Sequence, residues 1–389
     1  MEFSDLSGEK AYSGERTFLE FFAGIGLVRM GLEAAGWRTV WANDIDQQKR
    51  EMYNTHFKDA ANHFETGDIH WLDAAEIPDA DLATASFPCT DLSLAGGRKG
   101  LDGEHSSAFF GFVNVLDDMG DRRPPVIMLE NVCGFINSRG GADFREAMLR
   151  LNKLGYSVDP FILDARWFVP QSRPRLFVVG SLTESTNGDK WSLVGQSSRI
   201  RPEMINEFIA AHPDIRWAVR DLPDPPHCSP KRLDDVLETL ADDDPRWWSR
   251  DRADYLYNQM SDKHKQIAND WMGKKEWSHG TVFRRVRKQS DGTKKSMAEL
   301  RRDGLAGCLR TPKGGSARQI LFKAGYGQYA ARLITPRECA RLMGARSFRM
   351  DAPTSQALFG FGDAVCVPAI SWIAKNYLNP LLEELNNKN

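Results

Sequence analysis

At 389 residues the chain is too long for one minimal core and short for three, so one large domain with a second lobe is its natural organisation. A net charge of −2, no run approaching about 18 apolar residues, and a start without basic or apolar targeting regions (Met1-Glu2-Phe3-Ser4-Asp5) argue against membrane insertion and export. The six cysteines, Cys89, Cys133, Cys228, Cys308, Cys339 and Cys366, show neither C-x-x-C spacing nor nearby paired histidines. That disfavours structural zinc and a disulfide framework, and it fits a reducing cytoplasm.

Thr17 to Phe22 is a short apolar run that predicts a first strand and gives way to Ala23-Gly24-Ile25-Gly26. Leu27 to Ala35 predicts a helix stopped by Gly36, a favourable residue just past a helix end. Trp37 to Ala42 predicts the next strand, followed by the acidic Asn43-Asp44-Ile45-Asp46. Further strands are expected at Asp81 to Phe87, Val126 to Leu129, Tyr156 to Leu163 and Leu176 to Val179. Strands alternating with helices imply a mostly parallel sheet covered on both faces.

After about residue 185 that rhythm is lost. Leu233, Val236, Leu237 and Leu240 predict an amphipathic helix whose acids form a solvated face. From Lys274 to Arg318 there are thirteen lysines and arginines against four acids (Glu276, Asp291, Glu299, Asp303), a local balance of +9 in a chain that is acidic overall.

Two places carry chemistry. A Gly-rich turn between a first strand and a first helix is the usual seat of a nucleotide-like cofactor. Here the glycines are Gly24, Gly26 and Gly31, and the dinucleotide fingerprint would need glycine where the chain has Arg29, which speaks against a pyrophosphate. Asp44, at the end of the second strand, is placed to accept hydrogen bonds from ribose hydroxyls, and Asp68 to do similar work for an adenine amino group. An adenosyl cofactor without pyrophosphate points to S-adenosylmethionine. The other place is Pro88-Cys89, where an expected strand runs out into a loop; a cysteine there sits like a nucleophile, and only its thiolate attacks.

Taken in order, Phe22-Ala23-Gly24-Ile25-Gly26, Phe87-Pro88-Cys89, Glu130-Asn131-Val132, Gln171-Ser172-Arg173-Pro174-Arg175, Arg332 to Gly344 and Gly362-Asp363-Ala364-Val365 resemble the motifs of the DNA (cytosine-5)-methyltransferase family, of bacterial or phage type. The resemblance implies an α/β fold: a doubly wound, Rossmann-like class I methyltransferase sheet over residues 1–190 plus 356–389, with a smaller target-recognition domain over 191–355. It implies that Cys89 attacks carbon 6 of cytosine, that Glu130 holds or donates a proton at ring nitrogen 3, and that Arg173 and Arg175 fix the base's carbonyl oxygen and the neighbouring groups. Phe22, Gly24, Gly26, Asp44, Ile45, Asp68, Ile69, Pro88 and Asp363 would hold the cofactor.

The family's chemistry requires a base flipped out of duplex DNA, with the segment from Ser93 to about Leu101 closing over it as a glycine-rich loop. Ser93, Arg284, Arg285, Arg287 and Lys288 are the expected DNA contacts, the basic ones through phosphates. The implied partners are double-stranded DNA and a cognate restriction endonuclease, with a monomer as the family default. Two positions depart from the family pattern: Thr90 stands where glutamine is common, and Asp363 where asparagine is usual. Three rivals stay open: a cytosine-5 methyltransferase acting on transfer RNA, disfavoured by the basic insertion and the lack of a Cys-Phe-Thr tripeptide; a catalytically inactive DNA-binding module; and an oxidoreductase, disfavoured by the glycine spacing.

Overall fold

The computed structural model describes residues 14–88, 107–182, 198–288, 292–311 and 318–387. Its centre is a seven-stranded sheet of β1 (Arg16–Phe21), β2 (Trp37–Asp44), β3 (Phe64–Thr66), β4 (Leu82–Ala85), β5 (Val126–Asn131), β6 (Ser157–Asp164) and β7 (Pro174–Ser181). The spatial order is β3-β2-β1-β4-β5-β7-β6, parallel except for β7, which runs antiparallel to both β5 and β6. Every residue of β4, β5 and β6 is buried. Strands covered on both faces read as unbroken apolar runs, which is why these were recognisable in the sequence. The short edge strand β3 was not, since three residues carry no periodicity.

Alternate residues feed two separate cores. Phe18, Val126 and Met128 point into one, with the helix α1 (Leu27–Glu33) and the carboxyl-terminal helices Val367–Ile373 and Asn379–Asn386. Leu19, Ile127 and Leu129 point into the other, against the helices Ser107–Asp118 and Ala142–Lys153. A buried acid in this sheet is paired, as burial demands. Asp159, on β6, accepts two bonds from Arg201 at 2.9 and 2.8 Å and one from the Tyr377 hydroxyl at 2.9 Å.

A second, antiparallel sheet is built from β8 (Ser278–Lys288), β9 (Lys294–Leu300), β10 (Ile320–Gly325) and β11 (Gln328–Leu333) in the order β11-β10-β8-β9. The helices Arg250–Asn258 and Asp262–Met272 cover one face, burying Val282, Leu300, Ile320 and Phe322. The β10–β11 hairpin closes through Tyr326 and Gly327, both at positive φ (52° and 77°), the handedness that two-residue hairpins need.

Packing cuts across the rhythm of the sequence. Ile200, Leu233, Val236, Ile334 and Phe348 lie in the interval between the arginine motif and residue 355, yet they bury in the core of the first sheet. The amphipathic helix expected around Leu233 is instead one short turn, Leu233–Val236, after which the chain is extended. Leu233 and Val236 are buried as the pattern required, but two apolar anchors suffice to pin a turn and do not oblige a helix to continue.

The two lobes are joined by a buried ion pair. Arg332 donates to Glu338 at 2.7 and 2.5 Å, with both side chains essentially inaccessible. Glu338 also closes a capping box with Thr335 at the start of the helix Pro336–Leu342. The helices from Thr354 onward then return to the catalytic sheet, and Gly31 on α1 makes their approach possible. A Cβ at that position would lie 2.5 Å from the Ile370 Cβ. This third glycine of the turn region serves helix packing.

Candidate active site

The cofactor side forms where β1, β2 and β3 end. Phe22, Gly24 and Gly26 all take positive φ, so the chain doubles back tightly before α1 begins. Gly26 has a second constraint, since a Cβ there would sit 2.4 Å from the Phe57 ring. At the position that a dinucleotide site would need as glycine, Arg29 is buried. It makes two 2.8 Å bonds to Asp59, a 2.6 Å bond to Glu33 and a stack over Phe57. Glu20, ending β1, accepts from Arg29 N at 3.1 Å through one oxygen; the other has no partner among the described residues. Burial pushes its carboxyl up to about 8.

Asp44 accepts from Gly24 N and from Asp46 N, each at 2.8 Å, so it shapes the turn as well as facing it. Burial raises its pKa against the opposing pull of Lys49. Ile45 is 67% exposed, an uncovered apolar surface beside that acid, whereas Ile69 is buried. Asp68 caps the turn Ile69–Trp71 and accepts from His70 N and Nδ1, which holds its carboxyl below the usual range. Phe22 is half-buried and Pro88 exposed. Asp363, the departure from asparagine, is ion-paired with Lys49 Nζ at 3.0 Å. Burial weakens Lys49 as a cation, but Asp363, Asp44 and Asp46 outweigh it and raise its pKa.

The second half of the site lies at the ends of β4, β5 and β7. Ala85 on β4 pairs with Leu129 on β5, so Glu130 follows directly beside the Ser86-Phe87-Pro88 exit. Glu130 is buried, its Oε1 lies 2.9 Å from Arg175 Nε, and the Ser86 hydroxyl bonds to it. Burial raises its pKa, partly offset by Arg175 and Arg173. Asn131 Nδ2 donates to Phe87 O at 3.4 Å, tying the β5 end to the segment that leads to residue 89.

Arg173 is spent differently from its neighbour. It is almost wholly buried, and its guanidinium donates to Leu309 O at 2.6 Å, Gly362 O at 3.0 Å and Ala364 O at 2.6 Å. Beside it, buried Gln171 donates to Leu342 O at 2.8 Å and accepts from Leu309 N at 3.0 Å. The Gln171 to Arg173 segment thus clamps the chain returning from the second lobe.

Cys89, Thr90 and Ser93 lie outside the described residues, as do all of residues 89–106. The basic residues are on β8, in the second sheet. Arg285, Arg287 and Lys288 are exposed, and Arg285 and Arg287 both reach Glu299, at 3.6 and 2.5 Å. Arg284 is half-buried. Sequence reasoning missed Lys49, Ser86 and Cys308. Ser86 directly precedes the Phe87-Pro88-Cys89 motif and Cys308 lies within the basic Lys274 to Arg318 stretch, but neither residue type signals its role without geometry. No group of three or more metal-ligating side chains occurs among the described residues.

A doubly wound sheet with a tight Gly-rich turn after its first strand at one end and a buried carboxylate–arginine pair at the other defines the class I methyltransferase fold. The model of the C-5 cytosine-specific DNA methylase family matches residues 16–379, and the chain belongs to that family. It is 28% identical over 364 residues to the Type II methyltransferase M.DsaV of Dactylococcopsis salina, covering 93% of this chain and 86% of that one. To the Type II methyltransferase M.HhaI of Haemophilus parahaemolyticus it is 26% identical over 95% of both chains. The fold is similar to that of the S. pombe Dnmt2 methyltransferase (TM-score 0.59, 20% identity, 95% of this chain and 99% of that chain). It is also similar to a putative DNA modification methyltransferase encoded within an E. coli prophage (TM-score 0.55, 19% identity, covering 94% and 99%).

Proposed function

We propose that this family member methylates carbon 5 of a cytosine flipped out of duplex DNA, through a covalent bond between Cys89 Sγ and carbon 6. The observation that carries the reading is Glu130: a buried carboxyl, held by Arg175, on the strand next to the one that leads to Cys89. Attack by the Cys89 thiolate pushes electrons toward ring nitrogen 3, where Glu130 supplies or holds the proton. A raised carboxyl pKa suits that task, since the group must keep a proton until the ring demands it. Arg175 orients Glu130 and faces the base's carbonyl oxygen. Loss of the carbon-5 proton and of Cys89 restores the aromatic ring.

The residues of the turn fit S-adenosylmethionine. The unpartnered oxygen of Glu20 suits a cationic ligand, and Asp44, with two lone-pair directions left after its two backbone bonds, suits ribose hydroxyls. Phe22, Gly24, Gly26, Ile45, Asp68, Ile69, Pro88 and Asp363 complete the site. When bound, this cofactor supplies an electrophilic methyl group. Arg173 is a positioning residue in this reading, since its donors seat Gly362-Asp363-Ala364 against the sheet.

Residues 1–190 with 356–389 form the catalytic domain, and 191–355 the target-recognition domain. The segments that pack into the first core anchor the second sheet, whose β8 carries the phosphate-binding Arg284, Arg285, Arg287 and Lys288. The Type II names of M.DsaV and M.HhaI support a setting beside a cognate restriction endonuclease. Covalent trapping on a 5-fluorocytosine duplex with cofactor tests the reading: the wild-type chain forms the adduct and Cys89→Ala does not. Persistent trapping by the variant sinks the assignment, and tritium transfer to transfer RNA in place of duplex DNA redirects it.

A further inference from the structure

Cys308 comes from the second lobe, yet it sits among the arginines of the first. The segment that bears it is pinned alongside residues 170–173: Ser172 N donates to Ala306 O at 2.9 Å, Ala306 N to Pro170 O at 2.8 Å, and Leu309 N to Gln171 Oε1 at 3.0 Å. That register brings the sulfur to 3.3 Å from Arg173 Nη1 and 3.9 Å from Arg175 Nη2. The thiol itself donates to Leu309 O at 3.3 Å.

The charges that act on it come mainly from cations. Arg173 and Arg175 approach from the start of β7, and Arg310 from the segment of Cys308 itself. Against these cations stand Glu130 on β5 and Asp363 near the carboxyl terminus, and Asp363 is already paired with Lys49. Among the described residues, the ionisable side chains in contact with the arginine pair are Glu130, on Arg175, and Cys308, on both arginines.

We infer that Cys308 is a positioning residue of the active site, whose sulfur closes the Arg173–Arg175 pair and so fixes the Arg175 guanidinium against Glu130. The inference rests on the reading of Glu130 and Arg175 as the base-holding pair. Local electrostatics support it. Burial opposes ionisation of Cys308, but Arg173, Arg175 and Arg310 outweigh burial and hold the thiol below its ordinary pKa. Cys133 also feels Arg175, yet burial dominates there and pushes its thiol up to about 11. Two cysteines near one guanidinium are thus set in opposite directions, and only Cys308 touches it.

The test compares wild-type, Cys308→Ser and Cys308→Ala full-length chains for kcat, KM for duplex DNA, the pH profile of kcat and melting temperature. Misalignment of Arg175 lowers kcat of Cys308→Ala by about tenfold to a hundredfold while KM for DNA stays within about twofold. Serine, which still accepts from both arginines, recovers most of that loss. In Cys308→Ala the limb of the profile set by Glu130 moves to higher pH, because a misaligned Arg175 no longer draws the Glu130 pKa down, while in Cys308→Ser it stays close to the wild-type position. Wild-type kcat with an unmoved profile in Cys308→Ala overturns the inference. So does a loss of kcat that merely follows a fall in melting temperature and is not recovered by serine. Failure of the underlying reading shows separately, as a wild-type chain that neither traps on the 5-fluorocytosine duplex nor methylates it.

Discussion

The two sheets of this molecule handle charge in opposite ways. In the seven-stranded sheet β5 is buried along its whole length, and Glu130, Asp159 and Arg173 in or beside that sheet are each committed to named partners. In the four-stranded sheet β8 buries only residues 280–282, and its last five residues, all half-buried or exposed, include four basic ones, with Arg285 and Arg287 sharing the single carboxylate of Glu299. A buried charge is worth what its geometry makes it, because stranding it costs several kcal/mol; an exposed one is interchangeable with its neighbours. The first sheet is therefore built to fail at single residues, and the second to weaken by degrees.

Substitutions can break or sharpen that contrast. The largest effect is expected at Glu130→Gln, where loss of a positioned acid lowers kcat about 10²- to 10⁴-fold with little change in folding, read by tritium incorporation into duplex DNA. An activity within a few fold of wild type would mean that the buried carboxyl is structural after all. Next comes Glu338→Ala, which strands Arg332 in the joint between the lobes and should cost about 3–5 kcal/mol in denaturant unfolding. A cost below about 1 kcal/mol would show that the joint tolerates a lone charge and that the contrast is overdrawn.

Glu20 gives a pH test of the same principle. Its folded pKa lies above its unfolded one, so the folded chain binds more protons, and this group's contribution to stability is fully present below the unfolded value and lost as pH rises through about 8. Glu20→Gln should flatten the stability-against-pH curve across that window, as followed by melting temperature; an unchanged curve would place the dependence elsewhere. The smallest effect is expected at Arg287→Ala or Lys288→Ala. Each should weaken DNA binding about equally for all sequences and reduce the slope of log affinity against log salt by about 0.9. A sequence-selective loss at either would make β8 a reader of bases.

Much of the first sheet was legible because burial on both faces writes itself as apolar runs, and β1, β2, β4, β5, β6 and β7 lie within a few residues of where those runs fall. The second sheet was legible only as charge. Its strands mix basic and apolar residues without a clean alternation, against two helices that the eye cannot pair with them in advance. The short turn at Leu233 was misread as a helix for the same reason: two anchors fit several shapes, and contacts from the first core chose among them. In the site, Glu130 and Arg175 could be named from motif order, but the division of labour between Arg173 and Arg175 could not. It depends on three carbonyl oxygens supplied by residues more than a hundred positions away. Asp363 likewise needed Lys49 beside it before its charge made sense.

The carboxyl-terminal return has a consequence for synthesis. Arg16, at the start of β1, is ion-paired with Glu383 at 2.6 Å; Gly31 rests on Ile370; and Arg173 holds the carbonyls of Gly362 and Ala364. A ribosome that has released the first 350 residues has already made Cys89, Glu130, Arg175 and the whole second sheet, but one wall of the first core is still inside its tunnel. Amino-terminal segments ordinarily fold as they emerge. Here the core around the first strand is completed only after residues beyond 350 emerge, so competence to modify DNA arrives later than the making of the whole second sheet.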